Sequence, residues 1–171
     1  IAQELTLRHP EQVAKVVLGC TMAGGPNAKM AAPEVATKLV EGTKLIATNP
    51  NAGLDVILPL LYPEEFAKAH PEIKQMMLMG MQMMPATPSD SVDRTIAGIM
   101  TFNAYDRLGQ IKCPTLIVHG DKDLLIPVEN ANLLKSRIPQ AELFIIPNAG
   151  HAFQAADPVG IHQRIVQFLK N

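Results

Sequence analysis

The sequence predicts an α/β fold: about three parallel strands flanked by helices, with a helical insertion between two of the strands. Three observations carry that expectation. Residues 111–153 hold two short apolar runs, Thr115 to His119 and Leu143 to Ile146, on either side of a stretch with helical spacing. Strand, helix and strand in succession make one βαβ unit, and such units build parallel sheets. A third apolar run, Val13 to Leu18, closes at Gly19, and the 33–107 stretch that follows it carries helix signals but no strand signal.

The elements follow in order. Residues 1–9 place Ile1, Leu5 and Ala2 on one helical face and Glu4 and Arg8 on another, and Pro10 stops the helix. The pattern has no start signal and begins with Ile rather than Met, so the expectation is a truncated fragment whose preceding strand lies upstream. Residues 21–30 (TMAGGPNAKM) read as a flexible exit loop. The Gly24-Gly25 pair has neither the G-x-G-x-x-G nor the Walker spacing that cradles a phosphate.

From residue 33 to 107 prolines 50, 59, 63, 71, 85 and 88 divide the chain into short helical pieces. Pro33-Glu34, Pro63-Glu64-Glu65 and Thr87-Pro88 with Asp90 put a proline at a helix start and acids in the first turn. The organisation expected is one domain over residues 1–171, with a helical cap region at 24–107 inserted between strands. Six of the nine methionines fall in it, at 76, 77, 79, 81, 83 and 84. Flexible, polarizable side chains suit either a cap-to-core contact or an adaptable apolar pocket. A helix over Ser91 to Tyr105 is expected to bury Val92, Ile96, Ile99 and Phe102.

The strand Thr115 to His119, entered through Cys113-Pro114 and left at Gly120, is apolar enough to be covered on both faces. Pro127 starts a helix with Val128, Ala131, Leu134 and Ile138 at core spacing, and Pro139 ends it. Asp157-Pro158 caps a closing helix expected to bury Ile161, Ile165, Phe168 and Leu169.

Bulk properties exclude several classes of function. Charged residues make up 18% of the chain with a net charge of −1, which leaves no footprint for nucleic acid or an anionic membrane. Cys20 and Cys113 each lie at or beside an apolar run and read as buried thiols in a reducing compartment. No Cys/His spacing suggests a metal, and no cofactor is expected. The apolar runs fall short of the ~20 residues of a membrane span. A cytoplasmic protein with a small-molecule or protein partner is the expectation.

What remains is an acid and a base. Asp121, Asp123 and His151 all follow strand ends, where parallel sheets hold their ligands. A catalytic histidine needs a carboxylate on Nδ1 to fix its tautomer, and Asp123 and His151 are candidates for that pair. Each also has a plainer reading, Asp123 as a turn or cap residue and His151 as an exposed loop residue beside Gly150.

Pro114-Thr115-Leu116, Gly120 to Asp123, Pro127, Ile138-Pro139-Gln140-Ala141 and Asn148-Ala149-Gly150-His151-Ala152-Phe153 resemble the C-terminal half of the α/β-hydrolase superfamily. Asn148 stands where that family often has Gly. The resemblance spans the chain, least specifically in the cap region, and implies a partial α/β-hydrolase fold. It further implies a catalytic acid at Asp123 rather than Asp121 and a base at His151; for a substrate pocket the candidates are Met79 and Met83, from the methionine cluster, and Phe153. The family's nucleophile sits in G-x-S-x-G; the serines here, Ser89, Ser91 and Ser136, are not in that frame. The resemblance therefore implies part of a serine hydrolase of the esterase or enol-lactonase kind, while an Asp at the nucleophile elbow, as in the dehalogenases and epoxide hydrolases that share this acid and base, would mean alkyl transfer instead. The serine hydrolase's substrate would be a small apolar ester or lactone, its nucleophile would lie upstream, and the chain alone would be inactive. Strand 13–18 would then have an open edge for a second copy or for the missing N-terminal half. The competing reading is a noncatalytic ligand-binding or assembly module that keeps the cleft.

Overall fold

A computed structural model describes residues 1–83 and 89–170. The helix start read at Thr87-Pro88, and Met84, lie outside the described residues.

At the centre is a parallel sheet of three strands, β1 (Val16–Gly19), β2 (Thr115–Gly120) and β3 (Ala141–Ile146), in the order β1-β2-β3. Val16 pairs with Thr115 and Leu18 with Ile117; on the other side Thr115 pairs with Ala141 and His119 with Ile145. β2 is buried along its whole length, as its near-continuous apolar run requires. β1 begins three residues later than expected from Val13. A ladder needs a partner, and the Val16 N–H already bonds the carbonyl of Pro114, just ahead of β2, so 13–15 have no strand beside them.

Helix α1 (Ala2–Arg8) precedes β1 through a 3-10 turn at Pro10–Gln12. Its buried side chains are Gln3 and Thr6, while Ile1 and Leu5 are exposed, the reverse of the expected face. Gln3 Nε2 donates to Met22 O at 3.0 Å, leaving its Oε1 without a partner among the described residues, and Thr6 Oγ1 donates to Ala2 O at 2.9 Å.

The 21–30 stretch is tied down rather than loose. Met22 and Ala23 are buried, and Gly24 bridges to Asn103. Fully buried Asn130 clamps Lys29, accepting from its N–H at 2.9 Å and donating to its carbonyl at 2.8 Å. Gly24 and Gly25 sit at φ +69° and +68°, and a Cβ on Gly24 would fall 2.0 Å from Phe102 O, so the glycine pair serves a close backbone turn.

Among the described residues, five helices then precede β2: α2 (Pro33–Thr48), α3 (Pro50–Leu61), α4 (Glu64–Ala69), α5 (Glu72–Met83) and α6 (Ser89–Thr101). Asn49 caps α3, accepting from Ala52 N at 3.1 Å. Pro59 does not break α3 as expected. It stands three positions from the helix end, where its missing N–H forfeits one bond and only Leu60 and Leu61 follow. Gly53 lets α2 and α3 meet, since a Cβ there would lie 2.5 Å from Ile46 N. On α6, Ile96 and Ile99 are exposed against expectation; Phe102 is half-buried.

Between β2 and β3 runs α7 (Glu129–Arg137), with Ala131, Leu134 and Ile138 fully buried as the spacing predicted. α8 (Pro158–Lys170) closes the chain behind its Asp157 cap, whose Oδ1 accepts from Gly160 N at 2.9 Å. It buries Ile161 and Phe168, with Leu169 exposed. One apolar cluster joins Leu18, Leu108, Ile117, Leu134 and Ile138; a second joins Cys20, Leu116, Val118, Ile146, Phe153 and Phe168. No described helix is long and apolar enough to cross a membrane.

Candidate active site

The parallel register brings the loops after β2 and β3 side by side, and backbone bonds lock them together. Asp121 N donates to Ile146 O at 3.2 Å and Lys122 N to Ala149 O at 2.8 Å. Residue 123 is thereby delivered to the start of the 148–152 turn, where Asn148 adopts φ +55°.

Asp123 is 6% exposed and its carboxylate is filled with donors. Oδ1 accepts from Leu125 N and Ile126 N, both at 2.9 Å, which is the turn role expected of an aspartate here. Oδ2 accepts from His151 Nδ1 at 2.9 Å, the contact that an orienting carboxylate would make. The two readings of Asp123 are therefore compatible, one on each oxygen. Burial alone would raise its pKa, but donation from His119, His151 and Ile126 N–H outweighs burial and holds the carboxyl well below the usual carboxylate range. It is an anion at neutral pH.

His151 keeps 31% of its side chain exposed. With Nδ1 turned to the acid, the opposite nitrogen, Nε2, is the one available to a reacting group. The histidine turn is braced from the helical region: Ala152 N donates to Leu61 O at 3.1 Å, and Gly150 packs so closely there that a Cβ would lie 2.4 Å from the same carbonyl. A shallow cleft runs along the turn, lined by Tyr62, Pro63, Phe66, Asn148, Gly150 and Ala152. A larger cavity of about 230 Å³ lies among α3, α4 and α5, bordered by Leu58, Tyr62, His70, Ile73 and Lys74.

Of the residues expected at the site, Asp123 and His151 come together. Met79 and Met83 stand on α5 at 57% and 85% exposure, and Phe153 is in the core with its ring against Gly19. Asp121 takes no part in the pair. Its Oδ1 is buried without a hydrogen-bond partner among the described residues.

Two residues join the site without a sequence signal having marked them. His119, 0% exposed on β2, places Nε2 2.8 Å from Ile126 O and 3.4 Å from Asp123 Oδ2. Facing a carbonyl acceptor, that nitrogen carries the proton. Cys20, the residue after β1, adopts φ +38° and turns its thiol to the same carboxylate. Burial pushes this thiol far up, with Asp123 adding to the shift against an opposing bond from Gly120, so it is no ready nucleophile.

The arrangement can hold an imidazole in one tautomer, support its positive charge and present Nε2 for proton transfer. The chain as a whole is similar to known proteins. Across 171 aligned residues the chain is 26% identical to a Pseudomonas syringae pv. syringae (strain B728a) protein named as a carbamate hydrolase, covering 99% of this chain and 63% of that one. It is equally 26% identical over 171 residues to the 2-hydroxy-6-oxononadienedioate/2-hydroxy-6-oxononatrienedioate hydrolase of Cupriavidus pinatubonensis (strain JMP 134 / LMG 1197), covering 99% of this chain and 58% of that one. The crystal structure of the enol-lactonase from Burkholderia xenovorans LB400 superimposes with a TM-score of 0.78 at 19% identity, over 99% of this chain and 61% of that one, and shares the fold. The chain thus spans about three fifths of the length of these proteins. Residues 1–158 match the family described as alpha/beta hydrolase fold, and with nearly the whole chain inside that match, the chain belongs to that family.

Proposed function

We propose that this chain supplies the acid and the base of a Ser-His-Asp triad in a hydrolase acting on small ester, lactone or carbamate substrates. The observation that carries the reading is the 2.9 Å bond from His151 Nδ1 to an anionic, buried Asp123. In such a site Nε2 takes the proton of a serine hydroxyl as it attacks the acyl carbon, and returns it to the leaving group. Asp123 stays ionised and stabilises the imidazolium throughout. The attacking hydroxyl comes from outside these 171 residues, because Ser89, Ser91 and Ser136 lie outside any G-x-S-x-G frame and Ser136 Oγ is bonded to Leu133 O on α7. The relatives' names support the substrate class.

The helices from residue 24 to 107 act in this reading as a cap. Met79 and Met83 offer exposed apolar surface for an acyl or ring group, whereas Phe153 contributes by packing beneath the site. The outer edge of β1 is completed by another strand, either from a second copy or from a segment of the same protein.

The test is hydrolysis of a p-nitrophenyl ester by the protein carrying its G-x-S-x-G segment. His151→Ala should lower kcat/KM by about 10³-fold or more and Asp123→Asn by a similar order, while the 171-residue chain alone should show no turnover. Full activity in His151→Ala would overturn the reading.

A further inference from the structure

The three strand ends converge on more than an acid and a base. Cys20 follows β1, Asp123 follows β2 and His151 follows β3. One ligand-capable atom from each lies within 4.8 Å of the other two, with Cys20 and Asp123 buried and His151 half-buried. We propose that Cys20, Asp123 and His151 form a binding site for a soft divalent cation of the zinc class.

The donor set favours such an ion over magnesium or calcium, since thiolate and imidazole are its preferred ligands. Two anionic donors and one neutral donor around a dication give a neutral complex, suited to a partly buried position. Donors around tetrahedral zinc stand about 3.5 Å apart, so closure from 4.8 Å asks for roughly 1 Å of movement, and the partly exposed His151 ring is the one able to supply it. The carboxylate is already braced as a ligand should be. Leu125 and Ile126 N–H hold Oδ1, and His119 Nε2 stands 3.4 Å from Oδ2. Binding releases the thiol proton to solvent, moves the His151 Nδ1 proton to Nε2 by exchange with solvent so that Nδ1 can ligate, and replaces the His151–Asp123 hydrogen bond with two metal bonds.

Binding does not depend on the triad reading. Its consequence does: an ion here occupies both members of the acid–base pair and would silence it.

The experiment is a titration of the reduced, chelator-stripped 171-residue chain with cobalt(II) chloride, followed by zinc chloride. One equivalent of cobalt should bind with a near-ultraviolet thiolate-to-cobalt band and the visible bands of a four-coordinate site, and zinc should bleach both. Cys20→Ser should remove the near-ultraviolet band and Cys113→Ser should leave it. His151→Ala, which alters a partly exposed side chain the core does not need, should weaken cobalt binding at least about tenfold. Absence of the band in the intact chain, its survival in Cys20→Ser, its loss in Cys113→Ser, or unchanged affinity in His151→Ala overturns the proposal. None of these readings uses turnover, so a failed triad assay and a failed metal titration remain distinct results.

Discussion

His119 and His151 share one carboxylate oxygen, Asp123 Oδ2, at 3.4 and 2.9 Å. Their duties differ. His151 is presented to solvent, whereas His119 is sealed in β2 and shares its Nε2 proton between Ile126 O at 2.8 Å and the more distant Asp123 Oδ2, pinning the turn that carries Asp123. His119→Phe would keep most of the volume but leave Ile126 O unpartnered, which should cost about 1–3 kcal/mol of stability. A packing defect alone would stop there. A positioning role predicts in addition that the Nδ1 proton of His151, seen by NMR as a hydrogen-bonded resonance, broadens and exchanges faster with water in His119→Phe and recovers in His119→Gln. An unchanged resonance in His119→Phe would dismiss the role. The Asp123–His151 pair could be read in the sequence because its loops carry family spacing. His119 could not, because a histidine inside an apolar run announces its function only through a partner seven residues further on.

Among the elements, the strands and α7 were legible because burial on both faces, or one clean stripe, leaves a dense apolar pattern. The helices α1 and α6 were not. On α1 the face turned inward is polar, with Gln3 and Thr6 buried and each donating to a backbone carbonyl while Ile1 and Leu5 face out; on α6 Ile96 and Ile99 are exposed. Periodicity reports which face is apolar, and only tertiary contacts report which face is covered. β1 raises a related matter. It has one neighbour in the described sheet, and its four residues include buried Val16 and Leu18. An apolar strand with an open ladder templates pairing. The 171-residue chain should therefore sediment as a dimer or larger species at micromolar concentration, and shift toward the heterodimer when a fragment carrying the G-x-S-x-G strand is added. A single monomeric boundary unaffected by that fragment would show that the edge needs no partner.

At the scale of the whole molecule, two carboxylates hold distant parts together, and both are kept ionised by the fold. Asp123 joins the loops after β2 and β3, burial working against it and hydrogen bonds from His119, His151 and Ile126 prevailing. Glu4 joins α1 to the 3-10 turn at Tyr105–Gln110 through Arg107, with Arg8 alongside; hydrogen bonds from those two guanidinium groups bring it down to about 2. In the unfolded chain such groups titrate near about 4. A folded-state value below the unfolded one means the native state binds fewer protons over that interval. The stabilisation is thus complete above about pH 5 and is lost as pH falls through 4 toward the folded values. Glu4 lies near the surface, where solvent screens its ion pairs, so Asp123 should carry most of the effect. Urea midpoints measured at pH 6, 4 and 2.5 should fall steadily. Asp123→Asn should start lower at pH 6 and fall less steeply, since the group whose protonation drives the loss is gone, while Glu4→Gln should follow the parent with a slightly reduced slope. Parallel curves for the parent chain and Asp123→Asn would mean that the acid sensitivity resides in other carboxylates and that the loops after β2 and β3 stay joined when Asp123 is neutral.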